Sequence, residues 1–267
     1  MPGMEMPVPL PRSTDSADYQ SVPRPVAAMA KSFPDGHLIA RHHHPRAQLL
    51  HAVAGLMSIE TDAGTWLVPP EQALWVPAGV PHRIAVTGRL EMRTLYIRDD
   101  ASAHLPEQCV VLAVSPLLRE LIVRATQLPL EYDEQGPDGA VMQLILAEIQ
   151  GARSLPLHLP MPRDRRLLRL CAMVQADLAA THSREHYADR VGLSPRSLTR
   201  LFRLETGMGF VEWRQKARLL AALPRLGAGE PVTSVALALG YGSPSAFAAM
   251  FRRVLGITPR AAVRPEA

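Results

Sequence analysis

The chain has 267 residues, 47% of them hydrophobic, with a mean hydropathy of +0.01 and a formal net charge of +4. That length supports one or two domains with ample core, and no apolar run approaches the roughly 18 residues a membrane helix needs, so a membrane span is excluded. The charge divides unevenly: residues 1–160 hold 12 Lys+Arg and 17 Asp+Glu, net −5, whereas residues 161–267 hold 17 and 8, net +9. A basic half beside an acidic one points to a polyanion partner for the C-terminal part. Cys109 and Cys171 have no motif around them, which fits reduced thiols in a cytoplasmic protein, packed as small core residues.

Residues 1–30 carry six prolines and no continuous apolar stretch. They read as a disordered tail rather than a signal peptide. Residues 37–97 read as short strands broken by Gly and Pro: HLIARHHH, QLLHAV, LMSIET, TWLV, ALWV, HRIAV and MRTLYI. Turn signals fall at Ala54 and Gly55, at Asp62 to Gly64, at Pro69 and Pro70, and at Pro77 to Gly79. Many short strands at close spacing predict a small β-barrel or sandwich, with one more strand over residues 108–114.

Within this stretch Gly36, His42, His44, Gln48 and Gly55, then Pro77, Gly79 and His82, fall at the spacings of the two motifs of the cupin barrel. The segment resembles that family over about sixty residues. In metal-binding cupins the three His and a Glu ligate one divalent ion; here Gln48 stands where the carboxylate belongs. Three imidazoles are enough for a Zn, Ni or Cu site with an open position. His42, His44 and His82 are therefore metal candidates. Two bland readings stand beside this one: polar lining of an effector pocket, or a histidine run partly on the surface. Trp66, Trp75 and Tyr96 supply either the apolar wall of that pocket or ordinary core.

Two amphipathic helices follow over residues 115–153. SPLLRELIVRATQL places Leu117, Leu118, Leu121, Ile122 and Ala125 on one side, and AVMQLILAEIQGA does the same with Val141, Met142, Ile145, Leu146 and Ile149. They either cover a face of the barrel or supply a homodimer interface, and the two roles are compatible. Residues 154–162, SLPLHLPMP, hold three prolines and almost no charge, which predicts a linker between the acidic and basic halves. The basic half opens with a helix whose stripe is Leu167, Leu170, Cys171, Val174 and Leu178, with Arg165, Arg166 and Arg169 near its start.

Residues 184–259 then repeat one pattern. YADRVGLSPRSLTRLFRLETG is answered by SVALALGYGSPSAFAAMFRRVLG. Ala188 and Ala236 each lie four residues before a glycine, Gly192 and Gly240. Ser and Pro follow at 194–195 and at 243–244, then Phe202 and Phe251. Glycine supplies the positive φ of a sharp inter-helix turn, and Ser at N-cap with Pro at N1 starts the second helix. Two helix-turn-helix units joined by FVEWRQKARLLAAL are the reading. This block resembles the DNA-binding domain of the AraC/XylS family of bacterial regulators over about a hundred residues. The resemblance implies two units on a rigid linker helix, laid in successive major grooves. Pro224 departs from that pattern and is expected to end or kink the linker helix about a turn early.

In the first unit Leu198, Leu201 and Phe202 face inward. The resemblance places Arg196, Thr199 and Arg200 over the groove floor, where an Arg makes two hydrogen bonds to a guanine edge. The matching positions of the second unit are Ser245, Ala248 and Ala249, with no long donor. Ser194, Ser197, Arg203, Ser243, Arg252 and Arg253 are placed to hold phosphates. The first unit is expected to specify sequence and the second mainly to anchor. The chain thus reads as a two-domain α+β protein over double-stranded DNA. It is expected to act as a transcription regulator in which a small effector bound in the barrel alters dimer geometry or domain contact, and that change shifts DNA affinity or contact with RNA polymerase. A cupin isomerase or dioxygenase carrying a DNA-binding module, and a constitutive DNA-binding dimer, are the alternatives.

Overall fold

A computed structural model describes residues 12–70, 72–255, 258 and 259. The N-terminal half runs through a 3-10 turn (Ser16–Tyr19), β1 (Val26–Phe33), β2 (Leu38–His42), β3 (Ala47–Thr61), β4 (Gly64–Val68), β5 (Gln72–Val76) and β6 (His82–Ile97). It continues with α1 (Asp99–Ser102), β7 (Val110–Ala113), α2 (Pro116–Ala125), α3 (Pro137–Gly151), β8 (Ser154–Leu155) and β9 (His158–Pro160). The C-terminal half is helical: α4 (Arg165–Ala176), α5 (Arg184–Arg190), α6 (Pro195–Thr206), α7 (Phe210–Gly227), α8 (Val232–Ala238) and α9 (Pro244–Leu255). This is the expected α+β, two-domain class.

The two long strands organise the sheet. The first half of β3 pairs with β5 and the second half with β4, while β6 pairs β3 along both halves and takes β1 and β2 on its other side. Register shifts between Ala52 and Leu56 bend β3 where the sequence reads as a turn, so QLLHAV and LMSIET form one bulged strand. HRIAV and MRTLYI likewise merge into β6. Side chains alternate across this sheet. Met29, Leu50, Leu74, Val76 and Tyr96 point to the interior, and Ala28, Leu49, Ala73, Trp75 and Leu95 point to the outer face. There α2 and α3 cover them with Leu118, Ile122, Ala125, Met142, Ile145 and Ile149. Ser115 ties the helices together, capping Leu118 N–H and donating to Glu148 Oε2 at 2.7 Å.

Three expectations are corrected. Residues 12–30 are not a disordered tail: Tyr19 is buried against Tyr96, and Val26–Phe33 is an eight-residue strand on β6. The buried Arg46 guanidinium donates to the carbonyls of Gln20, Val22 and Arg24, which holds this proline-rich segment in place. The remainder of the tail, residues 1–11, lies outside the described residues. Residues 154–162 are not a free linker, because β8 pairs β7 and β9 pairs β4. Pro224 does not end α7: the helix continues to Gly227, with Leu223 and Leu226 buried and Ala228 N–H bonded to Pro224 O at 2.9 Å. Burial of that last turn outweighs the one backbone bond proline removes. Buried apolar side chains run from the interior of the sheet domain through Leu157 and Leu159 into the helical half. At that junction Trp213 Nε1 donates to Pro160 O at 2.7 Å.

Candidate functional site

Pairing of β2 with β6 and the short loop into β3 gather the histidines. His42 ends β2 in register with His82 at the start of β6, and His44 leads into β3. His43, between the first two, is exposed. Ring centroids lie 4.4 Å apart for His42 and His82, 4.8 Å for His42 and His44, and 5.7 Å for His44 and His82. One ligand nitrogen from each falls within 4.8 Å of the others. Nδ1 of His42 donates to Ala40 O at 2.8 Å and Nδ1 of His82 donates to Val80 O at 2.9 Å. A carbonyl can only accept, so each of these rings presents Nε2 as a lone pair. Nε2 of His44 and of His82 are buried with no protein partner, as is Oε1 of Gln48, whose Nε2 donates to Thr94 Oγ1 at 3.0 Å. Burial, with the neighbouring imidazoles, pushes His44 down to about 4, and burial pushes His82 down to about 4. Both are neutral near pH 7, the form in which imidazole accepts a hydrogen bond or a metal.

A cavity of about 370 Å³ opens beside this group. His42, His44, Gln48 and Tyr96 line it; His82, whose ring centroid lies 4.4 Å from that of His42, does not. Trp66 and Trp75 are not in the lining. Trp75 points to the outer face, where its Nε1 donates to Pro106 O at 2.7 Å, and Trp66 stacks on His158 at 4.2 Å. Both belong to the core reading. The remaining wall includes Met29, Lys31, Phe33, His37 and residues 14–16. Met29, Lys31 and Phe33 alternate along β1, a signal hidden by reading the preceding segment as a tail. Lys31 Nζ donates to Thr14 O at 2.8 Å, so the chain N-terminal to β1 forms part of the rim.

In the helical half the two units present different surfaces. α6 buries Leu198 and Phe202 and exposes Arg196, Thr199, Arg200 and Arg203. Its N-cap, Ser194, accepts from Ser197 N–H at 3.2 Å and donates to Ser197 Oγ at 2.9 Å. Thr199 Oγ1 donates back to Pro195 O at 2.9 Å, which leaves its methyl and one lone pair for a partner. Arg184, not foreseen from sequence, reaches Thr199 Oγ1 at 3.5 Å from α5. α9 buries Phe247 and Phe251, exposes Ser245 and Ala249, and leaves Ala248 half-buried. Ser243 Oγ accepts from Ala246 N–H at 3.1 Å. Arg252 and Arg253 are exposed, but Arg253 Nη2 already donates to Gln215 Oε1 at 3.2 Å on α7.

A cavity-bearing sheet domain joined to two helix-turn-helix units defines a ligand-responsive DNA-binding protein. Residues 187–264 match the helix-turn-helix domain family, and residues 30–136 match the AraC-like ligand binding domain. The chain is 33% identical over 218 residues to the HTH-type transcriptional regulator NimR of Escherichia coli (strain K12), covering 82% of this chain and 80% of that one. It is 28% identical over 144 residues to the arabinose operon regulatory protein of the same strain, covering 52% and 47%. Among solved structures, ToxT from Vibrio cholerae aligns with 90% of this chain and 98% of its own at 8% identity and a TM-score of 0.39. The chain belongs to the AraC family of DNA-binding transcription regulators and carries that family's ligand-binding domain at its N-terminal end. Among the described residues no helix is long and apolar enough to cross a membrane.

Proposed function

We propose that the 370 Å³ cavity takes the effector of this regulator, and that His42, His44 and His82 hold a divalent ion of the zinc, nickel or copper kind beside it. The observation that carries this is the set of three buried, unpartnered acceptors, Nε2 of His44 and His82 and Oε1 of Gln48. Other buried polar atoms of the chain also lack a protein partner, but these three are gathered at one histidine cluster beside the cavity, and that grouping supports a ligand there. When bound, such an ion supplies a Lewis-acidic anchor for one donor atom of the effector. Gln48 in the carboxylate's place leaves the site without the charge that redox cupins use, and the chain is read as a cytoplasmic regulator rather than an enzyme. Leu117 and Leu144, 49% and 42% exposed on the helix pair, support a homodimer formed through α2 and α3. DNA and effector binding then change how the dimer meets RNA polymerase at a promoter.

On DNA, Arg196, Thr199 and Arg200 read bases, with Ser245, Ala248 and Ala249 as their thinner counterparts. Ser194, Ser197, Arg203, Ser243, Arg252 and Arg253 hold phosphates. Selection from randomised DNA tests this: strong base preference is expected in the half met by the first unit and weak preference in the other. Arg200→Ala should cost about 1–3 kcal/mol on the selected site and much less on random DNA. Arg252→Ala should weaken both alike and lower the salt slope by about one. Equal information in both halves would sink the uneven division of labour.

A further inference from the structure

Arg218 lies near the middle of α7, the helix between the two units, and is only 9% exposed. Its Nε donates to Leu178 O at 2.7 Å and its Nη2 to Ala180 O at 3.2 Å. Both carbonyls sit on the segment from α4 to α5, within the first half of the DNA-binding domain. The same guanidinium lies 5.5 Å from the ring centroid of Tyr241, the residue after the turn glycine of the second unit. One side chain therefore joins the segment that leads into the first unit to the turn of the second, while standing on the helix between them. Two further polar links from α7 engage one side each. Arg214 Nη1 donates to His182 O at 3.3 Å ahead of α5, and Gln215 Oε1 accepts from Arg253 on α9.

The turn glycines supply an independent observation. Gly192 and Gly240 hold matching places in the two units, with φ of +68° and +75°. A Cβ on Gly192 would meet nothing within 4 Å, whereas one on Gly240 would lie 2.6 Å from Ala179 O and 2.9 Å from Ala179 Cα. Ala179 is the residue between the two carbonyl partners of Arg218. The second unit's turn glycine is thus seated on the very segment that Arg218 grips, while the matching glycine of the first unit has no such neighbour. Tyr241 carries that contact to the reading helix: its ring meets Phe247 of α9 edge-on at 5.3 Å.

We infer that Arg218 is a positioning residue for DNA recognition, which clamps residues 178–180 to Tyr241 and so fixes the separation and phase of α6 and α9. The protein then accepts its two half-sites at one spacing. Each added base pair rotates the second half-site by about 35° around the duplex, so a rigid junction rejects it and a loose one follows it. Arginine suits the task because its planar fork serves two carbonyls and leaves its face to a ring.

The test uses the full chain and a DNA library in which the two selected half-sites are separated by spacers of different length. The wild type should favour one spacing over its neighbours by about tenfold, the scale of a single defect in a specific site. In Arg218→Met, which keeps the side-chain length and helix propensity, that ratio should fall to about threefold or less. Binding to the isolated first half-site should hold. A role confined to stability would lower the melting temperature and weaken every spacing in proportion, leaving the ratio unchanged. Tyr241→Leu gives the second unit the residue that the first carries at the matching place, Leu193, and should loosen the same ratio with both carbonyl bonds kept. An unchanged ratio in folded Arg218→Met overturns the inference. If that variant does not fold, an unchanged ratio in Tyr241→Leu does so.

Discussion

Gln48 differs from the carboxylate of metal-binding cupins by one terminal atom, and its free Oε1 sits buried beside three imidazoles. Gln48→Glu would add a negative charge that attracts either a proton or a divalent ion to the group. If the site is a metal site, the substitution should tighten zinc, nickel or copper binding by about 10-fold or more, and His44→Ala should abolish it. Ion content of protein purified without a His tag, together with calorimetric titration, reads this directly. Less than about a tenth of an equivalent in both wild type and Gln48→Glu, with no binding in the titration, would leave the acceptors to an organic effector alone. The histidines and Gln48 were legible in the sequence because they fall at the spacings of the cupin motifs, so the resemblance pointed to them without a reading of which face each strand presents. Trp75 was not. It pairs with Leu49, one residue out of phase with the Gln48 and Val76 pair, and a single step moves a side chain to the opposite face of the sheet.

At the scale of elements, strand positions were legible but strand identity was not. Ala54 and Gly55 look like a turn, yet β3 passes through them as a bulge because both of its halves have β6 to pair with. β9 is the harder case. Three residues ending in Pro160 carry no local strand signal, and their structure comes from partners about ninety positions earlier on β4. Gly64 permits the contact: a Cβ there would lie 2.3 Å from Leu159 O. His158 on β9 stacks on Trp66, with its Nε2 toward Ala63 O and Lys216 of α7 nearby. Burial above all, with Lys216, pushes it down to about 4 from an ordinary 6.5. The folded state thus binds fewer protons than the unfolded one between those values. Its contribution to stability is complete above about pH 6.5 and is lost as the pH falls toward 4. His44 and His82 act in the same direction. His158→Phe keeps a ring on Trp66 and removes the titration, so its melting temperature should fall less steeply than that of the wild type between pH 6.5 and 4. Parallel curves for the two proteins would show that β9 is not acid-sensitive through this residue.

Across the whole molecule the division into an acidic and a basic half holds, but the place to cut differs from the one the prolines indicate. A proline-rich stretch with little charge reads as a hinge. Here it adds β8 and β9 to the sheet and then receives Trp213 of α7 on Pro160 O. A sensor fragment of residues 1–155 lacks β9, so Trp66 loses the ring stacked on it. A fragment of residues 1–162 retains both. The longer fragment should therefore melt higher, by about 2–4 °C for each kcal/mol that the stack and the strand pairing contribute. The complementary fragment, residues 163–267, should bind DNA without the sensor, since α4 to α9 and the +9 charge lie within it. It loses the acceptor of the buried Trp213 Nε1, a defect worth about 1–3 kcal/mol, and should be less stable than the same residues in the intact chain. Freed from the half with net −5, it should also hold random DNA more tightly than the full protein at low salt. That difference should fade toward 1 M salt, where screening reaches about 3 Å. Circular dichroism melts of the three fragments and fluorescence anisotropy on a random duplex measure all of this. Equal melting temperatures for residues 1–155 and 1–162 would mean that β9 is carried by the helical half and adds nothing to the barrel. Absence of DNA binding by a folded 163–267 fragment would mean that the sensor contributes contacts of its own.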